Sequence, residues 1–145
     1  MAARKNLALS VWTGAPSAGQ IKTFYRHSER FVHAHPAGQI LCSIVLRGTP
    51  DFSQETRTEL AKMVKDHKLF SLGSAHLILL SGLAGTAVRT FLNTVVLIAK
   101  PTAPFRVFAE KGAAVVWLHT QLSKAPEAWL NNEIREAIDE AMADR

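Results

Sequence analysis

The amino-acid sequence predicts an α/β domain of about four mostly parallel strands alternating with helices, plus an extra C-terminal helix. Short apolar runs of strand length alternate with amphipathic segments of ten or more residues. The middle strand runs are apolar on both faces, as in parallel sheets covered by helices. With 145 residues, 48% hydrophobic and 20% charged, the composition indicates one globular domain.

The first predicted strand covers residues 7–12, in which apolar residues alternate before a turn at Gly14. Ser17 and Gln20 form a capping-box pattern that predicts a helix over 18–34. A nearly all-apolar run at 40–46 follows, and it predicts a central strand.

The middle of the chain repeats this alternation. Ser53 is placed to cap a second helix that ends near Phe70. Residues 75–80 predict the third strand, and the turn after it leads into a helix predicted from about Ala87 to Ala99.

The last third of the chain predicts one more strand and two helices. Residues 105–109 alternate as a strand, and a helix opens at Gly112. Pro126 fits a first helical position, so the final helix is predicted over about 126–143.

The charge is unevenly distributed. Seventeen Lys and Arg against twelve Asp and Glu give a net charge of +5. Residues 1–123 carry a net +8, whereas residues 124–145 carry a net −3. A basic body attracts anionic partners, and an acidic helix of the same chain lying across it would cancel much of that field.

Cysteine usage and hydropathy indicate a cytoplasmic protein. Cys42 is the one cysteine and lies in an apolar run, so a disulfide scaffold is excluded and the thiol is expected to be buried, with a raised pKa. No apolar stretch reaches the roughly 20 residues that span a bilayer, and the N-terminus lacks a signal-peptide core.

The order of elements resembles a known family. The segments that carry the likeness are the strand end Val11-Trp-Thr-Gly14, the strand Leu77-Ile-Leu-Leu80, and Phe105-Arg-Val-Phe-Ala-Glu110 followed by Ala113-Ala-Val-Val-Trp-Leu118. Together they are similar to a small bacterial STAS domain, the fold class of anti-sigma-factor antagonists, which is also compared with the lipid-carrying CRAL-TRIO fold. The resemblance covers about residues 7–122 and divides the chain into a STAS-like domain, 1–123, and an acidic amphipathic helix, 124–145.

The resemblance implies a non-enzymatic regulatory module that docks to a partner kinase or sensor protein. Some members are phosphorylated on Ser or Thr where the third strand meets its helix, but the acidic-hydroxyl cluster of those members is missing here. The matching residues predict the contact site with a partner or an anion: Ser81, Gly82, Gly85, Thr86 and Arg89. The two glycines have two interpretations, an anion cradle at a helix N-terminus or close backbone packing with positive φ.

The C-terminal helix has two interpretations as well. Its apolar stripe packs either on its own sheet or against a second subunit in a homodimer. The residues predicted for such an assembly contact are Trp129, Leu130, Ile134 and Ile138.

The sequence predicts neither a metal site nor a cofactor. His27, His33 and His35 lack the i, i+4 spacing of a helical metal pair, and His76 or His119 would have to join them. Catalytic elbows and metalloprotease motifs are missing from the sequence, which favours a protein that is not an enzyme.

The predicted second helix has a basic outer face formed by Arg57, Lys62, Lys65 and Lys68. Aromatic residues do not interleave with these charges, so the pattern does not favour nucleic-acid binding. A solvated surface or an acidic protein partner explains it better. The alternative function is a small apolar ligand or lipid carrier that uses the space between the sheet and the apolar third helix.

Overall fold

The protein folds as a five-stranded sheet between two layers of helices. The computed structural model describes residues 1–48, 53–65 and 70–143. The strands are β1 Ala2–Arg4, β2 Leu7–Trp12, β3 Ile40–Val45, β4 Gly73–Ile78 and β5 Phe105–Phe108, and the helices are α1 Ala18–Ala34, α2 Gln54–Lys65, α3 Gly82–Ala99, α4 Lys111–Leu122 and α5 Asn131–Ala143.

The strands lie in the order β1-β2-β3-β4-β5, which is also their order in the chain. β2 to β5 are parallel, and β1 pairs with β2 in the antiparallel direction. The α/β class and the four predicted strands are confirmed. The sequence analysis missed β1, because three residues are too few to show an alternating pattern.

The two helical layers follow from the strand order. Right-handed crossovers that step across a sheet in one direction place their helices on one face, so α1, α2 and α3 share a face. On that face, Phe24 packs near Leu41 in one cluster and Val88 near Ile78 in another. α4 and α5 cover the opposite face in a third cluster, which includes Cys42.

The predicted helix starts are partly confirmed. Ser17 and Gln20 form the capping box of α1, with both hydrogen bonds made. The Thr56 N–H donates to Ser53 Oγ at 3.2 Å, as predicted for the second helix. Within the described residues α2 ends at Lys65, and the segment on to Phe70 lies partly outside them.

The start of α5 was predicted wrongly. The helix begins at Asn131 and not near Pro126. Two contacts explain the later start: Trp129 is buried, with its Nε1–H donating to Asn6 Oδ1 at 2.8 Å, and the Glu133 carboxylate accepts the Leu130 N–H at 2.8 Å. A carboxylate in the first turn that accepts a preceding backbone N–H is a helix cap, so the helix starts after it.

Within the described residues, α3 is the helix whose length and composition would allow it to cross a membrane, with a mean hydropathy of 1.4. A core helix passes the same test, and 33% of α3 is buried. Its buried side, which includes Val88 and Val95, packs with Ile78 of the sheet.

Candidate functional site

The junction of β4 and α3 holds the residues predicted to contact a partner or an anion. The helix begins at Gly82, five residues earlier than predicted, with Ser81 as its N-cap. Gly85 is buried in the first turn, where an added Cβ would lie 2.0 Å from the Leu80 carbonyl oxygen. The sequence suggested a turn because glycine is a poor helix former, whereas the helix needs a glycine here to approach the strand end.

The hydroxyl and guanidinium groups of this junction differ in exposure: Ser81 and Thr86 are exposed and Arg89 is half-buried. Ser81 is exposed and its side chain makes no capping hydrogen bond. Thr86 Oγ1 donates to the Gly82 carbonyl at 3.2 Å and accepts from Arg89 Nη2 at 3.1 Å. Gly82 has a φ of +63° and open space around it. The junction therefore presents two accessible hydroxyls and one cation at the beginning of α3.

The exposed side of α3 continues from this junction and mixes apolar residues with polar ones, among them the exposed Thr90 and Thr94. Leu83 is 90% exposed, Leu97 75% and Ile98 64%. A hollow of about 340 Å³ between α2 and α3 is lined by Arg57, Phe91 and Ile98 among others. A second hollow of about 330 Å³ shares Arg57 and Ile98 with the first and adds Lys62 and Lys65. We call these two hollows together the α2–α3 groove.

Charge is segregated between the two helical layers. Within their described bounds α1, α2 and α3 contain seven Lys and Arg against three Asp and Glu, whereas α4 and α5 contain two against four. The acidic side chains of α5 pair with cations on their own side, such as Lys5 with Glu133 at 3.1 Å and Lys111 with Asp139 at 2.6 Å. The acidic helix therefore does not lie across the basic layer. Lys68, part of the predicted basic face, lies outside the described residues.

The predicted assembly residues of the tail pack on the chain's own sheet. Ile134 and Ile138 are fully buried and Trp129 is 5% exposed. Lys5 Nζ covers the Trp129 ring at 4.7 Å from its centroid. Of the four predicted residues, Leu130 is the exposed one, at 63%.

A row of polar side chains crosses the sheet beneath α1, α2 and α3. Ser10, Ser43 and His76 occupy paired register positions on β2, β3 and β4, and each is at most 6% exposed. The two serine Oγ atoms lie 2.9 Å apart in a hydrogen bond. In the part of the chain that the structure describes, His76 Nε2 is buried without a hydrogen-bond partner. We call these three residues the polar row.

The polar row borders a small cavity. Ser43 and His76 line a space of about 60 Å³ together with apolar side chains: Trp12, Pro16, Ile21, Phe24, Val45, Leu60, Met63, Val88, Phe91 and Leu92. The His76 ring stacks on Phe105 at 4.3 Å between centroids. Burial lowers the pKa of His76 to about 4, so the imidazole is neutral at pH 7.

The sequence analysis considered His76 as a metal ligand and did not single out Ser10 or Ser43. Each of the three residues is the fourth residue of its six-residue strand, and the parallel register places them side by side. The third strand was predicted at residues 75–80, where His76 is the second residue, so aligning the predicted strands would not have shown the row.

The remaining titratable residues are spread over the fold. Cys42 lies on the opposite face of the sheet from His76, and burial raises the pKa of its thiol to about 12, as predicted. His27 and His33 are exposed on α1, and His119 Nε2 lies 3.0 Å from the Trp129 carbonyl oxygen. Three or more His, Cys, Asp or Glu do not gather in any arrangement that could hold a metal ion among the described residues.

Comparison with known proteins found no match: no family model, curated protein or solved structure matches the chain.

Proposed function

We propose that this chain is a non-enzymatic, STAS-like regulatory module of the cytoplasm that acts by docking to another protein. The observation that carries the proposal is the exposed apolar pair Leu97 and Ile98 at the C-terminal end of α3, beside the basic rim of the α2–α3 groove. An exposed apolar patch rimmed by charged residues indicates an interaction site.

The charges of the groove select the chemistry of the partner. Arg57, Lys62 and Lys65 stand on its rim, and the Arg57 guanidinium lies 5.9 Å from the centroid of the Phe91 ring. An acidic amphipathic helix fits this arrangement, because its apolar stripe would cover Ile98 and its carboxylates would meet the cations. The partner we propose is therefore a protein segment rich in Asp and Glu.

The predicted contact residues extend this surface to the N-terminal end of α3. Ser81 and Thr86 lie within one turn of Leu83, which is 90% exposed, and Arg89 lies less than two turns from it. A partner helix that follows α3 would meet the groove at one end and these polar groups at the other.

An enzyme and a carrier fit the geometry less well. Among the residues that the structure describes, the two large pKa shifts belong to Cys42 and His76, which lie on opposite faces of the sheet and do not share a cleft. A carrier requires an internal cavity for its cargo, and about 60 Å³ is well below the roughly 150 Å³ that accommodates benzene.

Site-specific photo-crosslinking in the native cells tests the docking surface. A photoreactive residue at Leu97 is expected to capture one partner protein, whereas the same residue at Glu29 on the exposed side of α1 is the matched control. Charge reversal by Arg57→Glu should abolish capture, and added salt should weaken the purified complex. Equal products at Leu97 and Glu29, or capture unaffected by Arg57→Glu, would refute the proposed surface.

The predicted residues at the start of α3 receive a separate test. Thr86→Ala combined with Arg89→Glu is expected to weaken the same complex, because the pair lies at the far end of the docking path. Unchanged binding would limit the interface to the groove.

A further inference from the structure

We propose that the cavity above the polar row is a binding site for a small uncharged molecule that has one hydrogen-bonding group and an apolar remainder. The inference does not depend on protein docking, because the cavity lies between the sheet and the helices, whereas the docking surface is the α2–α3 groove; Phe91 lines both.

The first argument is the unsatisfied histidine. A buried polar atom without a hydrogen bond is unfavourable, and folded proteins contain few of them. His76 is 5% exposed and its Nε2 has no partner within the described residues, while the neighbouring serines of the polar row bond each other. The free nitrogen is thus available to a guest in the cavity that Ser43 and His76 line.

The second argument is the position of the cavity. Trp12 and Val45 are the last residues of β2 and β3, and both line it. The cavity thus extends from Ser43 and His76, inside the strands, to the carboxyl ends of β2 and β3. Trp12, Val45 and Leu60 are half-buried, so the wall at this end reaches the surface and offers a way in.

The third argument concerns charge. The twelve residues that line the cavity include no Asp, Glu, Lys or Arg. The neutral His76 ring offers a hydrogen bond but no opposite charge. An ion placed here would lose its hydration without a counter-charge, which is strongly unfavourable. An uncharged guest with a hydroxyl, carbonyl or amide group avoids that penalty.

The size of the cavity limits the guest. A space of about 60 Å³ corresponds to about two water molecules at roughly 30 Å³ each. The enclosed space therefore takes only the hydrogen-bonding group and the carbon next to it, and the remaining carbons of a molecule of about five heavy atoms lie outside it, against Trp12 and Leu60 at the rim. We expect weak, millimolar binding of such a small molecule, because affinity scales with the number of heavy atoms.

The test uses the full chain and three probes with the same four-carbon body. 1-Butanol is uncharged, butyrate is an anion and butylammonium is a cation. The side-chain ¹⁵N resonance of His76 is followed by NMR during each titration. We expect a saturable shift with 1-butanol and no saturable shift with the two ions. A linear drift with 1-butanol, or saturation by an ion as strong as by the alcohol, would overturn the proposal.

Two variants and one control locate the binding. His76→Phe removes the hydrogen-bonding atom, and Leu60→Trp fills the mouth from a half-buried position that tolerates a larger side chain. Each is expected to weaken butanol binding about tenfold or more, measured by the shifts of methyl groups that line the cavity. His33→Phe changes an exposed histidine on α1 and should leave binding unchanged. Full binding in Leu60→Trp would show that the alcohol binds elsewhere.

Discussion

The two faces of the sheet are made from the same three central strands, yet they have different chemistry. On the face covered by α4 and α5, the register row Leu9, Cys42 and Ala75 is apolar and fully packed. One residue further along each strand, the row on the other face is Ser10, Ser43 and His76. Helices and apolar clusters cover both faces, as is typical of parallel sheets, and the polar row and the cavity lie within the packing of the α1–α3 face.

The same division extends to the protein surface. α4 and α5 pair their charges with each other and with β1, as Lys111 does with Asp139. α1, α2 and α3 carry the excess of cations, whereas exposed large apolar residues occur on both sides: Leu83, Leu97 and Ile98 on α3, and Val116 of α4 and Leu130 on the other side. We infer that the α4–α5 face supports folding and that the α1–α3 face holds the functional surfaces.

The largest expected effect on stability comes from truncating a buried side chain between the sheet and the α4–α5 layer. Ile138→Ala removes a side chain of α5 that is fully buried, and such truncations lower the free energy of unfolding by about 2–5 kcal/mol. Urea denaturation measures the loss. Arg135→Ala, at an exposed position of the same helix, is the control and should stay within about 0.5 kcal/mol of the parent protein. Equal stabilities for the two variants would show that α5 is not part of the core.

The second effect is a dependence of stability on pH that is caused by His76 of the polar row. The folded pKa of His76 is about 4, below its ordinary value of 6.5, so the unfolded chain takes up the proton first as the pH falls. The contribution of His76 to the free energy of unfolding is therefore complete above pH 6.5. It is lost as the pH falls from 6.5 towards 4, which lowers the free energy of unfolding by about 3 kcal/mol.

The measurement compares chemical denaturation of the parent and of His76→Phe between pH 7 and pH 4. Carboxylates titrate equally in both proteins, so the difference between the two profiles reports His76. His33→Phe should keep the parent profile, since that residue is exposed. Identical slopes in the parent and in His76→Phe would mean that the imidazole is not buried as described.

A smaller effect separates the two serines of the polar row. Ser10→Ala leaves Ser43 Oγ buried without its partner at 2.9 Å, and the reverse holds for Ser43→Ala. Each single change should lower the free energy of unfolding by about 1–2 kcal/mol, whereas the double change should cost less than the sum. A double-mutant cycle in urea checks this. Simple additivity would contradict the hydrogen bond.

The sequence predicted the parallel strands and the capped start of α1 because these features are local. Alternation and the Ser17–Gln20 pair are visible within a few residues. The start of α5 was not predictable in this way. It depends on a hydrogen bond from the Trp129 side-chain N–H to Asn6, and these two residues are 123 positions apart in the sequence. Gly85 was ambiguous for the same reason, because its role is set by contact with the strand end.

The candidate site was predictable only in part. The β4–α3 junction follows from the order of elements, and the structure places Ser81, Thr86 and Arg89 together there. The polar row needs three strands in register, which no single segment shows. In each strand taken alone, Ser10, Ser43 or His76 is a single polar residue in an apolar run. The row becomes visible only when the strands are paired.

The smallest expected effect on stability distinguishes docking from folding on α3 itself. Leu92 and Leu97 belong to one helix, but Leu92 is 8% exposed and Leu97 is 75% exposed. Leu97→Ser should change the free energy of unfolding by no more than about 0.5 kcal/mol, because little apolar area is buried there. Leu92→Ser should lower it by about 2–5 kcal/mol. Urea denaturation and partner binding are measured on both variants. If Leu97→Ser abolishes partner binding without lowering stability, the exposed side of α3 is a binding surface for a partner. If Leu97→Ser lowers stability as much as Leu92→Ser does, that side is already covered within the chain and the docking proposal fails.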